Sequence, residues 1–101
     1  MPSYRLTVEA RNDIASIAEY TINQFGVEQA VIYRDGLIRT FEFLAEFPMM
    51  ARERTEINPP VRAHPYKSHL IVYVFDDQGV LILGIRHARE DWINELEGRN
   101  A

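Results

Sequence analysis

SHLIVYVFDDQGVLILGIR, residues 68–86, is the stretch that decides the fold. Two runs rich in β-branched and aromatic residues flank the tight-turn sequence DDQG, which is typical of two antiparallel strands. Leu70–Phe75 and Val80–Ile85 are apolar on both faces. They are therefore predicted to be central strands, covered on one side by helices and on the other, at least partly, by a partner or the C-terminal segment. With VRAHPYK just before them, they predict a three-stranded antiparallel meander over residues 60–87.

Two helices are predicted before the meander, because apolar residues recur there at intervals of three and four. Gly26 divides the two patterns and can adopt the left-handed conformation that ends a helix, so the helices should form a hairpin over residues 9–47. Pro48 ends the second helix. The apolar faces are Ile14, Ile17, Ala18, Ile22 and Phe25 in the first helix, and Ala30, Tyr33, Leu37, Phe41, Leu44 and Ala45 in the second.

The alternating sequence YRLTV predicts a first strand over residues 4–8. The charged stretch from Met49 to Pro60 indicates a connecting loop, and residues 91–101 form a tail. The element order is then β-α-α-β-β-β. It predicts a two-layer α+β fold in which a helical hairpin packs on an antiparallel sheet. Because 101 residues leave room for one core, residues 1–101 are expected to form a single domain.

Composition excludes several classes of function. The chain has no cysteine, which excludes disulfides and thiolate chemistry, and no segment has the length and apolar character of a signal peptide or membrane span. A cytoplasmic protein is therefore expected. The net charge of −4 disfavours non-specific binding to polyanions. Nucleotide-binding, hydrolase and zinc-protease motifs are absent, so no cofactor is predicted.

IRHAREDW, residues 85–92, closes the last strand with a basic cluster. Together with Arg62 and Lys67 on neighbouring strands, this cluster could bind a phosphate or an acidic protein surface. The alternative is a solvated strand end with local salt bridges. His87 is either a general acid or base or a structural histidine. Trp92 either packs back on the sheet or anchors an interface.

Two other groups of residues have competing interpretations. His64, His69 and His87 suggest a metal site, but a spacing of five should put His64 and His69 on opposite faces of a sheet unless a bulge intervenes, so no metal is predicted. Phe47, Met49 and Met50 form an apolar group where the second helix ends. This group either meets a partner helix or packs under the loop.

Four segments, taken in order, resemble the ParE branch of the ParE/RelE toxin superfamily over about residues 4–92. They are YRLTVEARNDIASIAEY, FGVEQAVIYRDGL, LAEFPMMARE and IRHARED. The resemblance implies the same element order and one of two activities. ParE-like toxins act on DNA gyrase and block replication, whereas RelE-like relatives cleave messenger RNA on the ribosome. Ala88, next to His87, and the negative net charge favour the ParE interpretation, in which the toxin catalyses no reaction.

The resemblance also implies a ParD-like antitoxin, whose ribbon-helix-helix end binds DNA while its tail wraps the toxin. The toxin itself should not bind DNA specifically. One alternative is a metal-independent endoribonuclease of RelE type that uses Arg62, Lys67, Arg86 and His87, and another is an interaction module that arrests no growth. The gyrase subunit and the toxin-antitoxin stoichiometry stay open. The predicted target contacts are Arg62, Lys67, Arg86, His87, Arg89 and Trp92, and the predicted antitoxin contacts are Phe47, Met49, Met50 and Tyr73.

Overall fold

A computed structural model describes residues 3–88. Two helices pack on one face of a five-stranded sheet with the strand order β1-β5-β4-β3-β2. The predicted α+β class, with a helical hairpin on a sheet, is confirmed. The elements are β1 (Tyr4–Leu6), α1 (Val8–Phe25), α2 (Val27–Glu46), β2 (Glu53–Arg54), β3 (Val61–Tyr66), β4 (His69–Asp76) and β5 (Gly79–His87).

The sheet is mixed rather than wholly antiparallel as predicted. Strands β3, β4 and β5 form the expected antiparallel meander, but β1 pairs with β5 in parallel, with Tyr4 opposite Val80. The alternation in YRLTV indicates a strand without indicating its neighbour or direction. Strand β2 lies within the stretch that the sequence predicts to be a connecting loop. It is two residues long and charged, and it is a strand only because Glu53 and Arg54 pair with β3.

The first strand is shorter than predicted because Thr7 caps the following helix. The Thr7 hydroxyl oxygen accepts a hydrogen bond from the backbone N–H of Ala10 at 3.0 Å, the usual contact of an N-cap residue. The same hydroxyl donates to the carbonyl oxygen of Leu83 at 2.9 Å. The strand therefore ends at Leu6, and α1 begins at Val8 beside β5.

Gly26 alone joins the two helices, as predicted. Its N–H donates to the carbonyl oxygen of Ile22 at 3.0 Å, and its own carbonyl oxygen accepts from the N–H of Ala30 at 3.2 Å. Its backbone has φ 93° and ψ 167°, a region that essentially only glycine occupies. Ile22 and Phe25, which the sequence places on the apolar face of the first helix, are both exposed. The last turn of α1 borders an open groove at the end of the sheet instead.

The sheet carries a core on each face. The larger core lies between the helices and the sheet, and the smaller one covers the opposite face, where Ile57 from the segment between β2 and β3 is fully buried. This arrangement explains why the meander strands are apolar on both faces. The larger core includes Ala10, Leu37, Phe41, Leu44, Ile71, Tyr73, Val80, Ile82 and Ile85, and the smaller one is built from Ile57, Val61, Ala63 and Val72.

Gly79, the first residue of β5 after its turn with β4, is required by both its backbone angle and its surroundings. Its φ is 111°, and a Cβ there would lie 2.5 Å from the carbonyl oxygen of Ser3. That oxygen accepts the N–H of Val80 at 3.1 Å, so Ser3 cannot move away without weakening the pairing of β1 with β5. We expect Gly79→Ala to lower the free energy of unfolding by about 2 kcal/mol, measured by urea denaturation.

Gln78→Ala is the matched control, because Gln78 is the exposed turn residue directly before Gly79. It should unfold at nearly the same urea concentration as the unchanged chain. Equal midpoints for the Gly79 and Gln78 variants would contradict the strain and close contact described for Gly79.

Candidate functional site

Arg86, predicted as a target contact, is engaged within the protein. Its Nη1 lies 3.6 Å from Oδ1 of Asp13 on α1, and each of the two side chains is only 15% exposed. The other carboxylate oxygen of Asp13 accepts the backbone N–H of Ile85 at 3.0 Å. Asp13 therefore holds both the backbone and a side chain at the end of β5. Arg86 therefore helps to fix this strand end against α1, and it is not a solvated surface cation.

A cluster of four rings occupies the same end of the sheet, and we call it the ring cluster: Tyr33, Tyr66, His69 and His87. The Tyr33 hydroxyl is hydrogen-bonded to Nδ1 of His69. The His69 and His87 rings meet edge to face with centroids 5.4 Å apart, and the Tyr33 and Tyr66 rings do so at 5.1 Å. The Tyr66 hydroxyl donates to the carbonyl oxygen of Tyr33 at 3.4 Å. The predicted His87 thus belongs to a connected polar and aromatic group.

Burial, with a smaller contribution from Tyr66, raises the pKa of Tyr33 to about 12. The Tyr33 hydroxyl therefore stays protonated near neutral pH and can donate to Nδ1 of His69. A neutral His69 that accepts at Nδ1 carries its proton on Nε2. The pair is thus a connected proton donor and acceptor, an arrangement that can bind an anion or move a proton.

The raised tyrosine pKa values predict that the protein loses stability at alkaline pH. Burial is the largest cause of the raised pKa in Tyr4, Tyr33, Tyr66 and Tyr73. Above pH 10 the unfolded chain loses these protons, whereas the folded chain retains that of Tyr33 until about pH 12. The folded state then binds more protons, so the free energy of unfolding should fall as pH rises through this interval.

Urea denaturation between pH 9 and 12 would test this expectation, with Tyr33→Phe as the informative variant and Tyr20→Phe, at an exposed tyrosine, as its control. The decline should be shallower in Tyr33→Phe because the group with the largest shift has been removed. Identical pH dependence in Tyr33→Phe and the unchanged chain would rule out Tyr33 as a source of the decline.

Arg62 and Lys67 occupy different places. Arg62 pairs with Tyr73, four residues along β4 from His69, which corresponds to about 13 Å. Its Nη1 donates to the carbonyl oxygen of Ala51 at 2.6 Å, and its guanidinium lies 5.3 Å from the centre of the Phe75 ring. Lys67, in the turn between β3 and β4, has its ammonium 5.9 Å from the centre of the Tyr66 ring. Lys67 therefore lies beside the ring cluster, whereas Arg62 does not.

The remaining predicted target contacts, Arg89 and Trp92, lie outside the described residues, as does the predicted tail. Tyr33, which the sequence places on the apolar face of the second helix, and His69, whose only predicted role is that of a possible metal ligand, are site residues that the sequence does not predict. His64 and His69 both contact α2, so the prediction that they lie on opposite faces is wrong. The two-residue turn between β3 and β4 brings both onto the helix side. Within residues 3–88, no three side chains of the types that bind metals are arranged to hold an ion.

A second surface lies where α2 ends, and we call it the hairpin-end patch: Phe43, Phe47, Met49 and Met50. All four side chains are exposed, and the two phenylalanine rings pack with centroids 5.3 Å apart. Tyr73, predicted as an antitoxin contact, does not belong to this patch. It is fully buried, and its hydroxyl donates to the carbonyl oxygen of Pro48 at 2.7 Å, so it supports the loop from inside.

Comparison with known proteins identifies the family. The model of the family described as "ParE toxin of type II toxin-antitoxin system, parDE" matches residues 4–92. This chain belongs to the ParE toxin family. Toxin ParE1 of Caulobacter vibrioides is 34% identical to it over 73 residues, which cover 72% of this chain and 76% of that relative. The residues of the ring cluster and of the hairpin-end patch all lie within the range that matches the ParE family model.

A solved structure entitled "Chromosomal ParDE TA system from P. aeruginosa" shares the fold of this ParE chain with a TM-score of 0.73. The alignment covers 86% of this chain and 96% of the other, at 19% sequence identity. Within the part of this ParE protein that the structure describes, neither helix is long and apolar enough to cross a membrane.

Proposed function

We propose that this ParE-family chain is a toxin that a ParD-like antitoxin neutralises and that inhibits DNA gyrase by binding it. The family match over residues 4–92 carries the proposal. It implies a paired antitoxin, and the solved structure of similar fold is entitled as a ParDE system. The cytoplasm, where gyrase acts on DNA, is the proposed location.

Exposed apolar side chains along the hairpin support the proposed antitoxin contact. Contiguous apolar surface on a small protein usually marks an interface, and an amphipathic helix in a partner is a common way to cover it. The hairpin-end patch is the densest part of this surface. The exposed apolar residues of α2 and the turn after it are Val27, Val31, Ile32, Ile38, Phe43, Phe47, Met49 and Met50.

The arrangement of basic residues supports binding rather than cleavage. The predicted ribonuclease set requires Arg62 and Arg86 beside His87, yet Arg62 lies far along the sheet and Arg86 is engaged by Asp13. Lys67 and His87 line the open groove at this strand end, and they are the proposed basic contacts to the target. Arg89 and Trp92, which lie beyond the described residues, are proposed to extend the same contact. Such a surface suits the acidic side chains of a protein partner.

Purified toxin should inhibit gyrase-catalysed supercoiling, and added antitoxin should restore it. Lys67→Ala combined with His87→Ala should weaken the inhibition, whereas Arg34→Ala, which removes an exposed arginine from α2, should not. In cells that express the toxin alone, DNA synthesis should fall before protein synthesis. Unaffected supercoiling would overturn the proposed target, and unhindered growth would leave only the interaction module.

The ring cluster supports a second candidate, a metal-independent endoribonuclease. RNA cleavage requires one group to accept a proton and another to donate one, and Tyr33 with His69 and His87 could supply both. Cleavage of translated messages by the unchanged toxin, lost in His69→Ala and retained in Arg34→Ala, would support this activity. If cleavage accompanied unaffected supercoiling, the ribonuclease would replace gyrase inhibition as the proposed function.

A further inference from the structure

Met49 and Met50 are neighbours in the hairpin-end patch, and we call them the methionine pair. They are 73% and 54% exposed, whereas methionine is usually buried in protein interiors. The chain has no cysteine, so thioether sulfur is its most readily oxidised group. The third methionine, Met1, lies outside the described residues. Within residues 3–88, the methionine pair therefore contains all the sulfur that an oxidant can reach.

Side chains from the sheet fix the backbone on both sides of the methionine pair. Before the pair, the carbonyl oxygen of Pro48 accepts a hydrogen bond from the hydroxyl of the buried Tyr73 at 2.7 Å. After the pair, the carbonyl oxygen of Ala51 accepts one from Nη1 of Arg62 at 2.6 Å, and Ala51 itself is buried. Exposed apolar side chains on a fixed backbone are suited to binding, because little conformational freedom is lost when a partner covers them.

We propose that the methionine pair is an oxidation site at which peroxides weaken binding of the antitoxin to the toxin. This inference rests on the proposed antitoxin contact at the hairpin-end patch. The thioether sulfur attacks one oxygen of hydrogen peroxide and the O–O bond breaks. The proton on the transferred oxygen passes to the leaving hydroxide, so the products are methionine sulfoxide and water. The sulfur loses two electrons and the peroxide gains them, and methionine sulfoxide reductases reverse the change.

Oxidation changes the chemistry of the hairpin-end patch without disturbing the core. It converts an apolar side chain into a polar one, and a polar oxygen that a partner buries without a hydrogen bond lowers affinity. In the free toxin both sulfoxides are solvated, because both residues are exposed. Bound antitoxin covers the methionine pair, so peroxide acts on toxin that is not yet neutralised. Toxin oxidised at this stage is neutralised less well, and peroxide thereby prolongs its activity.

Treatment of the full-length toxin with dilute hydrogen peroxide tests the proposal. Mass spectrometry of peptides should show one added oxygen on each of Met49 and Met50, and circular dichroism should show an unchanged fold. Calorimetric titration should then give antitoxin binding that is weaker by roughly tenfold or more. Methionine sulfoxide reductases should restore the affinity. In the toxin-antitoxin complex, both methionines should be oxidised more slowly than in the free toxin.

Met49→Leu/Met50→Leu is the matched control, because leucine has nearly the volume of methionine and lacks the sulfur. This variant should bind the antitoxin about as tightly as the unchanged chain, and peroxide should leave its affinity unchanged. An equal loss of affinity in the treated leucine variant would overturn the proposal, since a different oxidised side chain would then be responsible.

Three further results would also overturn the inference. The methionine pair could resist peroxide in the native chain. The affinity could survive full oxidation while Phe47→Ala/Met50→Ala still weakened binding, which would leave the antitoxin contact without control by oxidation. Equal oxidation rates in the free toxin and the complex would place the antitoxin elsewhere. If untreated toxin bound no antitoxin, the proposed function would fail and its regulation with it, whereas the mass measurement would still decide whether the pair is an oxidation site.

Discussion

Asp13→Ala is expected to lower the free energy of unfolding by about 3 kcal/mol, because it removes one partner of a largely buried ion pair. The carboxylate of Asp13 contacts the guanidinium of Arg86 and accepts the N–H of Ile85. Alanine leaves the positive charge of Arg86 with only 15% of its side chain exposed to water. It also releases the end of β5 that carries His87, so target binding should fall together with stability. Urea denaturation, monitored by circular dichroism, measures the loss.

Two variants separate the contributions of Asp13. Asp13→Asn keeps an oxygen that can accept the Ile85 N–H but removes the charge, so its stability should fall between those of Asp13→Ala and the unchanged chain. Asp35→Ala is the control, since the Asp35 pair with Arg34 is about half exposed and should contribute less than about 1 kcal/mol. If Asp13→Ala were no more destabilising than Asp35→Ala, Asp13 would not be holding the end of β5.

The double variant Phe47→Ala/Met50→Ala is expected to bind a ParD-like antitoxin roughly 100-fold more weakly, a loss of about 2.7 kcal/mol. Both side chains belong to the hairpin-end patch and are about half exposed, 49% for Phe47 and 54% for Met50. Aromatic and methionine side chains are the types that interfaces favour. Because neither lies in the core, the variant should fold normally. Calorimetric titration with purified antitoxin gives the dissociation constants.

Phe25→Ala provides the comparison at the other end of the hairpin. Phe25 is more exposed than Phe47, so an effect that arises simply from losing exposed apolar surface should be at least as large there. We expect Phe25→Ala to change the antitoxin affinity less than Phe47→Ala. Similar affinities for the unchanged chain and the double variant would move the antitoxin contact away from the hairpin-end patch. In cells, the double variant should remain toxic when the antitoxin is co-expressed.

The helices and the meander followed from local sequence, but the make-up of the ring cluster did not. Asp76 pairs with Gly79 across the turn, and counting outward from that pair with regular spacing places His69 opposite Arg86. A register shift at Val72 and Tyr73 moves the pairing by one residue, so His87 stands opposite His69 instead. A one-residue shift exchanges the faces of all later side chains. The register shift therefore places the imidazole of His87, rather than the guanidinium of Arg86, in the ring cluster.

The contacts of Tyr33 and Asp13 depend on long-range packing for the same reason. The helical period predicts which face of α2 is apolar, and Tyr33 fits that face, but the period does not indicate that its hydroxyl meets His69. Gly36 lies inside α2, where glycine is less favourable than alanine by about 1 kcal/mol. A Cβ at this position would overlap the Tyr66 hydroxyl, so glycine makes room for the ring that packs on Tyr33. Helix propensity accounts for α2 itself. The glycine within it is explained by Tyr66 of the neighbouring strand β3, whose ring needs the space.

The sequence by itself determined the α+β class, the glycine-joined hairpin, the meander and the ParE family. These depend on period, turn residues and the order of motifs, all of which are local in the chain. The tertiary structure alone decided that β1 lies parallel to β5, that Asp13 engages Arg86, that Tyr73 is buried and that the ring cluster forms at the strand end. Each of these depends on which distant segments meet and in what register. Strand pairing and side-chain packing determine which segments meet and in what register, and the local residue pattern does not encode this.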